Sequence, residues 1–232
     1  MDLYYTIVSP PSQSVVLLAK YLRVPLNLKS LNLRAGEHMS EAFLKINPQH
    51  CVPTLTTEDG VSIWESNAIM LYLVERFDKT GKIYPKDPAK RAVVFQRMCF
   101  DLGTLYKQIR AYYTPLLTQG AQPDVNVLKE LEQAFKYLEL FLAGSKYSTG
   151  DELTLADFAL VTSVTSAITM NFDVAKYPYV DRWVKLCKSA MPGFEEVSKE
   201  AEAAMKAIKE TMNNFTSSFE WNRSPENHIF NR

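Results

Sequence analysis

The chain has 232 residues, enough for one large domain or two modest ones. Its 47% hydrophobic content is that of a globular protein, and 26 Lys and Arg balance 26 Asp and Glu, which argues against nucleic acid or an anionic membrane as the main partner. No apolar run approaches the ~20 residues of a membrane span. The opening Met1-Asp2-Leu3-Tyr4-Tyr5 lacks the basic start and apolar stretch of a signal peptide. Cys51, Cys99 and Cys187 are scattered and odd in number, so they read as reduced thiols of a cytoplasmic protein.

Residues 3–8 are aromatic and β-branched and predict a buried strand. Ser9-Pro10-Pro11-Ser12 stops it and opens a helix, since proline is tolerated in a first turn. Val15, Val16, Leu18, Ala19 and Leu22 then recur at helical spacing. A second strand is expected over 26–33, and a short helix over 41–46 capped by Ser40. Asp59-Gly60 joins two short β runs, one starting at Thr54 and one covering 61–64, into a hairpin. Residues 66–77 form an apolar helix. The order β-α-β-α-β-β-α is the thioredoxin-like pattern.

Residues 78–88, with charges, Gly81 and two prolines, read as a linker. Beyond it only helical periods appear, over 90–114, 125–142, 155–169, 180–190 and 195–212. Strands first and helices afterwards predict an α+β domain at 1–78, a linker at 79–88 and an all-α domain at 89–212. The remainder, 213–232, is polar without a clear period and is expected to be a mobile tail. Thr154 and Asp157 have the spacing of a capping box, with Asp standing in for the usual Glu or Gln.

The most informative stretch is Asn47-Pro48-Gln49-His50-Cys51-Val52-Pro53-Thr54-Leu55. Proline at the first position of a strand avoids the lost ladder bond it would cause inside one. A cis Val52-Pro53 bond is accessible and would leave the Val52 N–H and C=O outside the sheet, where they need partners. An extended peptide can supply them by strand-like pairing.

These motifs, with Glu65-Ser66 eleven residues past Thr54 and the Leu153-Thr154-Leu155-Ala156-Asp157 run, resemble the cytosolic glutathione transferases over nearly the whole chain. Arg34-Ala35-Gly36-Glu37-His38 and Phe43-Leu44-Lys45-Ile46-Asn47-Pro48 look most like the insect delta class, with epsilon next. The resemblance implies a thioredoxin-like domain followed by a helical domain, a homodimer, glutathione as co-substrate and no metal. It implies that Ser9 donates to the glutathione sulfur, that His38 and His50 hold the glycyl carboxylate, and that Val52, ahead of Pro53, pairs with the cysteinyl unit. Glu65 would meet the γ-glutamyl ammonium and Ser66 the γ-glutamyl carboxylate, with Asn67 beside them. Cys51 lies next to the sulfur site, either inert or able to form a mixed disulfide.

Each assignment has a local alternative. Ser9 and Ser66 could be ordinary turn or cap residues, Glu65 a first-turn acid and His38 a surface residue. Two departures from the delta pattern stand out. Ser12-Gln13-Ser14 replaces Cys-Arg-Ser, and Glu65-Ser66-Asn67 replaces Glu-Ser-Arg. Neutral amides thus stand where arginines would face an anionic ligand, which predicts weaker glutathione binding. Serine at both ends of Ser9-Pro10-Pro11-Ser12 argues against dithiol redox chemistry.

An apolar electrophile site is expected between the domains. Tyr106, Ile109, Arg110, Tyr113 and Leu117 share one helix face, which periodicity alone would also allow as core or dimer interface. Tyr106 and Tyr113 match substrate-pocket positions of the delta class. Pro11, Phe172, Met205, Ile208 and Met212 are further candidates, and Phe215, Phe219 or Trp221 could cover the pocket. The expected function is conjugation of glutathione to hydrophobic electrophiles, with dehydrochlorination and hydroperoxide reduction open to the same thiolate. A non-catalytic binder of hydrophobic ligands is the alternative.

Overall fold

The computed structural model describes residues 1–221, and side chains as far as Thr211. The first half is a four-stranded sheet in the order β2-β1-β3-β4. Strand β1 is Asp2–Tyr5, β2 Asn27–Ser30, β3 Thr54–Thr56 and β4 Ser62–Trp64. The β1–β2 pair is parallel, with Leu3 opposite Leu28. The β1–β3 and β3–β4 pairs are antiparallel, with Tyr4 opposite Thr54 and Thr54 opposite Trp64. Helix α1, Pro10–Leu22, makes the crossover from β1 to β2 and packs on α3, Ser66–Phe77. On β1, Leu3 and Tyr5 are buried and alternate with half-buried Asp2 and Tyr4. Tyr4 meets the buried Phe43 of α2, Glu41–Ile46, edge to face at 5.5 Å, so α2 packs beside the sheet at that point. Ser40 caps α2 through Phe43 N–H, as its position predicts.

The first two strands, β1 and β2, are shorter than the sequence pattern suggests. Ser9 N–H turns back to the Thr6 carbonyl, which takes 6–8 out of the first strand. Asn32 Oδ1 accepts from the N–H groups of Arg34 and Ala35, a local turn that ends the second.

The second half is helical. Helix α4 is Pro88–Phe100 and α5 is Tyr106–Gln119, joined without a break by one π-helical turn, Asp101–Leu105. Helix α6 is Val125–Leu142, α7 Leu155–Thr169, α8 Pro178–Ala190 and α9 Phe194–Trp221. Helix α7 is buried on most of its circumference, as expected of a helix at the centre of a bundle. It packs against α1, and this contact joins the helical half to the sheet half. The capping box at its start forms. Asp157 Oδ2 accepts from Thr154 N–H at 2.8 Å, and Oδ1 accepts from Ser148 N–H and Trp183 Nε1, both at 2.9 Å. Asp157 is fully buried. Burial pushes its carboxyl pKa up, and these donors oppose the rise.

Helix α9 continues past Met212, so the boundary read there falls inside a helix and 213–221 is helical backbone. The Met212 side chain, a pocket candidate, and the pocket cover expected of Phe215, Phe219 or Trp221 fall outside the described residues, as does the tail at 222–232. Among the described residues, no helix is long and apolar enough to cross a membrane.

Candidate functional site

The register of the sheet gathers the motifs at one end. β1 runs antiparallel to β3, so the end of β1 lies beside the start of β3, with Tyr4 opposite Thr54. The Thr6–Ser9 turn and the Val52-Pro53 segment extend from these adjacent ends. Strand β4 finishes at Trp64, opposite Thr54, which brings Glu65-Ser66 to the same edge. Helices α1 and α3 begin here, so both present their free N–H groups and positive dipole ends.

Ser9 is the N-cap of α1, in extended conformation, yet its side chain makes no capping bond. Its carbonyl accepts from Gln13 N–H at 2.9 Å and continues the helix. The hydroxyl is therefore not tied to its own helix. It lies beside the Tyr106 phenol. Burial raises the Tyr106 pKa, Arg110 lowers it, Asp101 raises it and Ser9 lowers it, in that order of weight.

The Val52–Pro53 bond is cis. Neither the N–H nor the C=O of Val52 takes a protein partner among the described residues. The segment is pinned by Asn47, which is fully buried. Asn47 Nδ2 donates to the Thr54 hydroxyl (2.9 Å) and the Cys51 carbonyl (3.1 Å), and lies 3.3 Å from Cys51 Sγ. Its Oδ1 accepts from Gln49 N–H at 2.9 Å, and the Thr54 hydroxyl donates to the Cys51 carbonyl at 2.8 Å. Asn47 is a positioning residue, and its place in the Asn47–Leu55 stretch carries no local sign of that role. Two buried amide donors aimed at residues four and seven further on become visible only once the loop is folded.

The His38 and His50 rings are 5.9 Å apart, centroid to centroid, and His38 Nδ1 is buried without a protein partner among the described residues. His50 and Glu65 both have positive φ, 45° and 67°, in a region that side chains other than glycine rarely occupy. Such conformations cluster at ligand sites. Glu65 is exposed, and Ser66 and Asn67 are half-buried at the start of α3.

Gln13 and Asn67, the two amides expected to stand in for arginines, are both engaged with the backbone. Gln13 Nε2 donates to the Ile7 carbonyl at 2.8 Å. Asn67 Nδ2 donates to the Met98 carbonyl of α4 at 3.3 Å. Asn67 thus reaches across to the helical half, away from the role the resemblance gives it.

A cavity of about 150 Å³ opens next to Ser9, between Val8 and Pro10 on one side and α5 on the other. Tyr106, Ile109, Arg110, Tyr113 and Leu117 of α5 line it, together with Met205 of α9. Burial pushes the Tyr113 hydroxyl up to about 12, so it stays a proton donor at neutral pH. Pro10, rather than Pro11, forms the wall nearest Ser9. Phe172 does not reach this cavity. Its ring stacks on Phe135 at 4.2 Å and faces Tyr177, a cluster in the helical core. Ile208 is half-buried one turn beyond Met205 and does not line it either. Ser166 of α7 and Met170, at its C-terminal cap, also line it. No local signal marked them, because their contribution depends on how α7 packs beside α5.

This arrangement defines a thioredoxin-like domain with an open peptide-pairing edge, facing an apolar pocket on a helical domain. Residues 8–76 match the family model described as the glutathione S-transferase N-terminal domain, and residues 95–190 match the glutathione S-transferase C-terminal domain. A delta-class glutathione transferase from Nilaparvata lugens is 40% identical, with a TM-score of 0.87 over 91% of this chain and 99% of that one. An epsilon-class enzyme from the housefly Musca domestica is 42% identical, with a TM-score of 0.81 over 89% and 97%. Glutathione S-transferase 1-6 from Anopheles dirus species B is 40% identical, with a TM-score of 0.84 over 91% and 100%. The chain belongs to the glutathione S-transferase family and is an enzyme of the insect delta/epsilon kind.

Proposed function

We propose that the chain conjugates the thiolate of glutathione, held at Ser9, to hydrophobic electrophiles seated in the α5 cavity. The observation that carries this is the Ser9 hydroxyl: at a helix N-terminus, not used as a cap, and beside an apolar pocket. A free thiol has a pKa near ~8.5 and is only a few per cent ionised at neutral pH. Lowering that pKa by about two units requires roughly 2.7 kcal/mol of preferential thiolate stabilisation. A hydroxyl donor and the positive end of α1 both act in that direction. The sulfur of the co-substrate attacks, while the protein sets its charge and position.

In this reading the Val52 N–H and C=O pair with the cysteinyl unit, His38 and His50 hold the glycyl end, and Glu65 and Ser66 hold the γ-glutamyl end. Tyr113 donates to negative charge that develops on the acceptor. Organochlorine dehydrochlorination and hydroperoxide reduction would use the same thiolate. Dimerisation with a second copy is part of the proposal, carried over from the family.

The engaged amides of Gln13 and Asn67 favour a second reading, a binder of hydrophobic ligands with reduced glutathione affinity. Calorimetric glutathione binding together with steady-state conjugation to 1-chloro-2,4-dinitrobenzene separates the two. Saturable turnover that falls at least tenfold in Ser9→Ala supports the transferase. Tight binding of hydrophobic ligands without turnover at any glutathione concentration supports the binder.

A further inference from the structure

Behind the acceptor cavity lies a second and larger one, of about 340 Å³, between α1, α7, α8 and α9. It is much larger than the packing voids of a protein interior. Val8, Ser166 and Met205 line both cavities, so the two are neighbours across a wall of three side chains. The flexible part of that wall is Met205, half-buried and unbranched, with three rotatable bonds. The acceptor cavity alone is smaller than the ~300–1,000 Å³ of ordinary small-molecule sites, and the two together reach that range.

The chemistry of the second chamber selects its occupant. Ile168, Val184 and Phe194 supply apolar surface. The hydroxyls on the α7 side are already used within that helix. Thr165 donates to the Val161 carbonyl (2.9 Å), Ser166 to Ser163 (2.7 Å) and Thr169 to Thr165 (3.0 Å). Their donors are therefore not offered to a ligand. Two glutamates and two lysines also line it: Glu195 pairs with Lys188 at 2.7 Å and with Lys199 at 3.3 Å, and Glu202 carries the second negative charge. No net charge calls for an ionic headgroup. The chamber fits an uncharged apolar chain.

We propose that this chamber is a tail subsite, and that the acceptors of this enzyme are elongated electrophiles. Their reactive carbon sits at Ser9 and their apolar tail passes Met205 to lie beneath α9. This rests on the glutathione reading of the Ser9 site and adds the substrate class.

S-alkylglutathiones test it without chemistry, because glutathione anchors the head and the alkyl group probes the pocket. The experiment is calorimetry of the full chain with S-methyl-, S-butyl- and S-octylglutathione. The readout is the ratio of the S-octyl to the S-methyl Kd. In the wild type, affinity should keep rising through S-octyl, by up to about fourfold per added methylene. Ala201→Trp and Ser198→Trp each place an indole in the chamber from α9 and should cancel the gain beyond S-butyl, raising the ratio at least tenfold. Two variants guard against one of them failing to fold. Affinity that levels off at S-butyl in the wild type, or an S-octyl advantage intact in both folded variants, overturns the tail subsite while leaving the transferase standing. Failure of even S-methylglutathione to bind, with no turnover, removes the reading on which both rest.

Discussion

Asp101 sits on the π-helical turn between α4 and α5, buried, with Oδ1 lacking a protein partner among the described residues. Burial raises its pKa from the ordinary 3.8 to about 7, and the Ser163 hydroxyl only partly opposes this. The consequence for stability has a definite sign. Below about pH 4 the carboxyl is protonated in both folded and unfolded chains and contributes nothing. Between about pH 4 and pH 7 the unfolded chain releases the proton while the folded chain keeps it, so stability falls as pH rises. Above about pH 7 both forms are ionised and the loss levels off. The interval of about three pH units, at about 1.4 kcal/mol each, is about 4 kcal/mol. Asp101→Asn keeps the shape and cannot ionise, so it lacks this slope. Urea unfolding from pH 4 to pH 8, at fixed protomer concentration, measures it. Other carboxylates act on both proteins alike and cancel in the difference. The variant should gain about 4 kcal/mol relative to wild type across the window, nearly all of it by pH 7.5. Parallel curves for the two proteins would refute the argument and mean that Asp101 is ionised in the fold at low pH or is hydrated.

Three further outcomes follow from the same contacts. Asp157→Ala strands the buried N–H groups of Thr154, Ser148 and Trp183, and should cost about 3 kcal/mol or more in denaturant unfolding. Asn47→Ala releases the Cys51 carbonyl and the Thr54 hydroxyl, and should raise the glutathione KM more than it lowers kcat, because it loosens Val52 without touching Ser9. Asn67→Arg should tighten calorimetric glutathione binding by about 1–2 kcal/mol if the charge faces the ligand, and unchanged affinity would show that it does not.

The sheet half was legible because its signals are local: proline at a strand start, Asp59-Gly60 between two β runs, the Ser40 cap and the alternating burial of β1. The same holds for Thr154 and Asp157, whose partnership spans only three residues. Long-range packing was not legible. Helices α4 and α5 read as one period, and the π turn that points Asp101 inward leaves no mark in that pattern. The helix expected to end at 114 runs on to Gln119 with Pro115 inside it. Phe172 looked like a pocket residue by position, but two aromatic neighbours from α6 and the segment before α8 claim its ring. Ser166 and Met170 enter the acceptor wall only because α7 crosses behind α5, which no window of sequence contains.

On this reading Ser9 lowers the pKa of bound glutathione. The direct measurement is the pH dependence of kcat/KM for conjugation to 1-chloro-2,4-dinitrobenzene, in wild type and Ser9→Ala. The wild type should show an apparent pKa about two units below that of a free thiol, moved upward in the variant, with rates converging at high pH. An identical pKa and rate in both proteins would contradict it and assign thiolate stabilisation to another group at the start of α1.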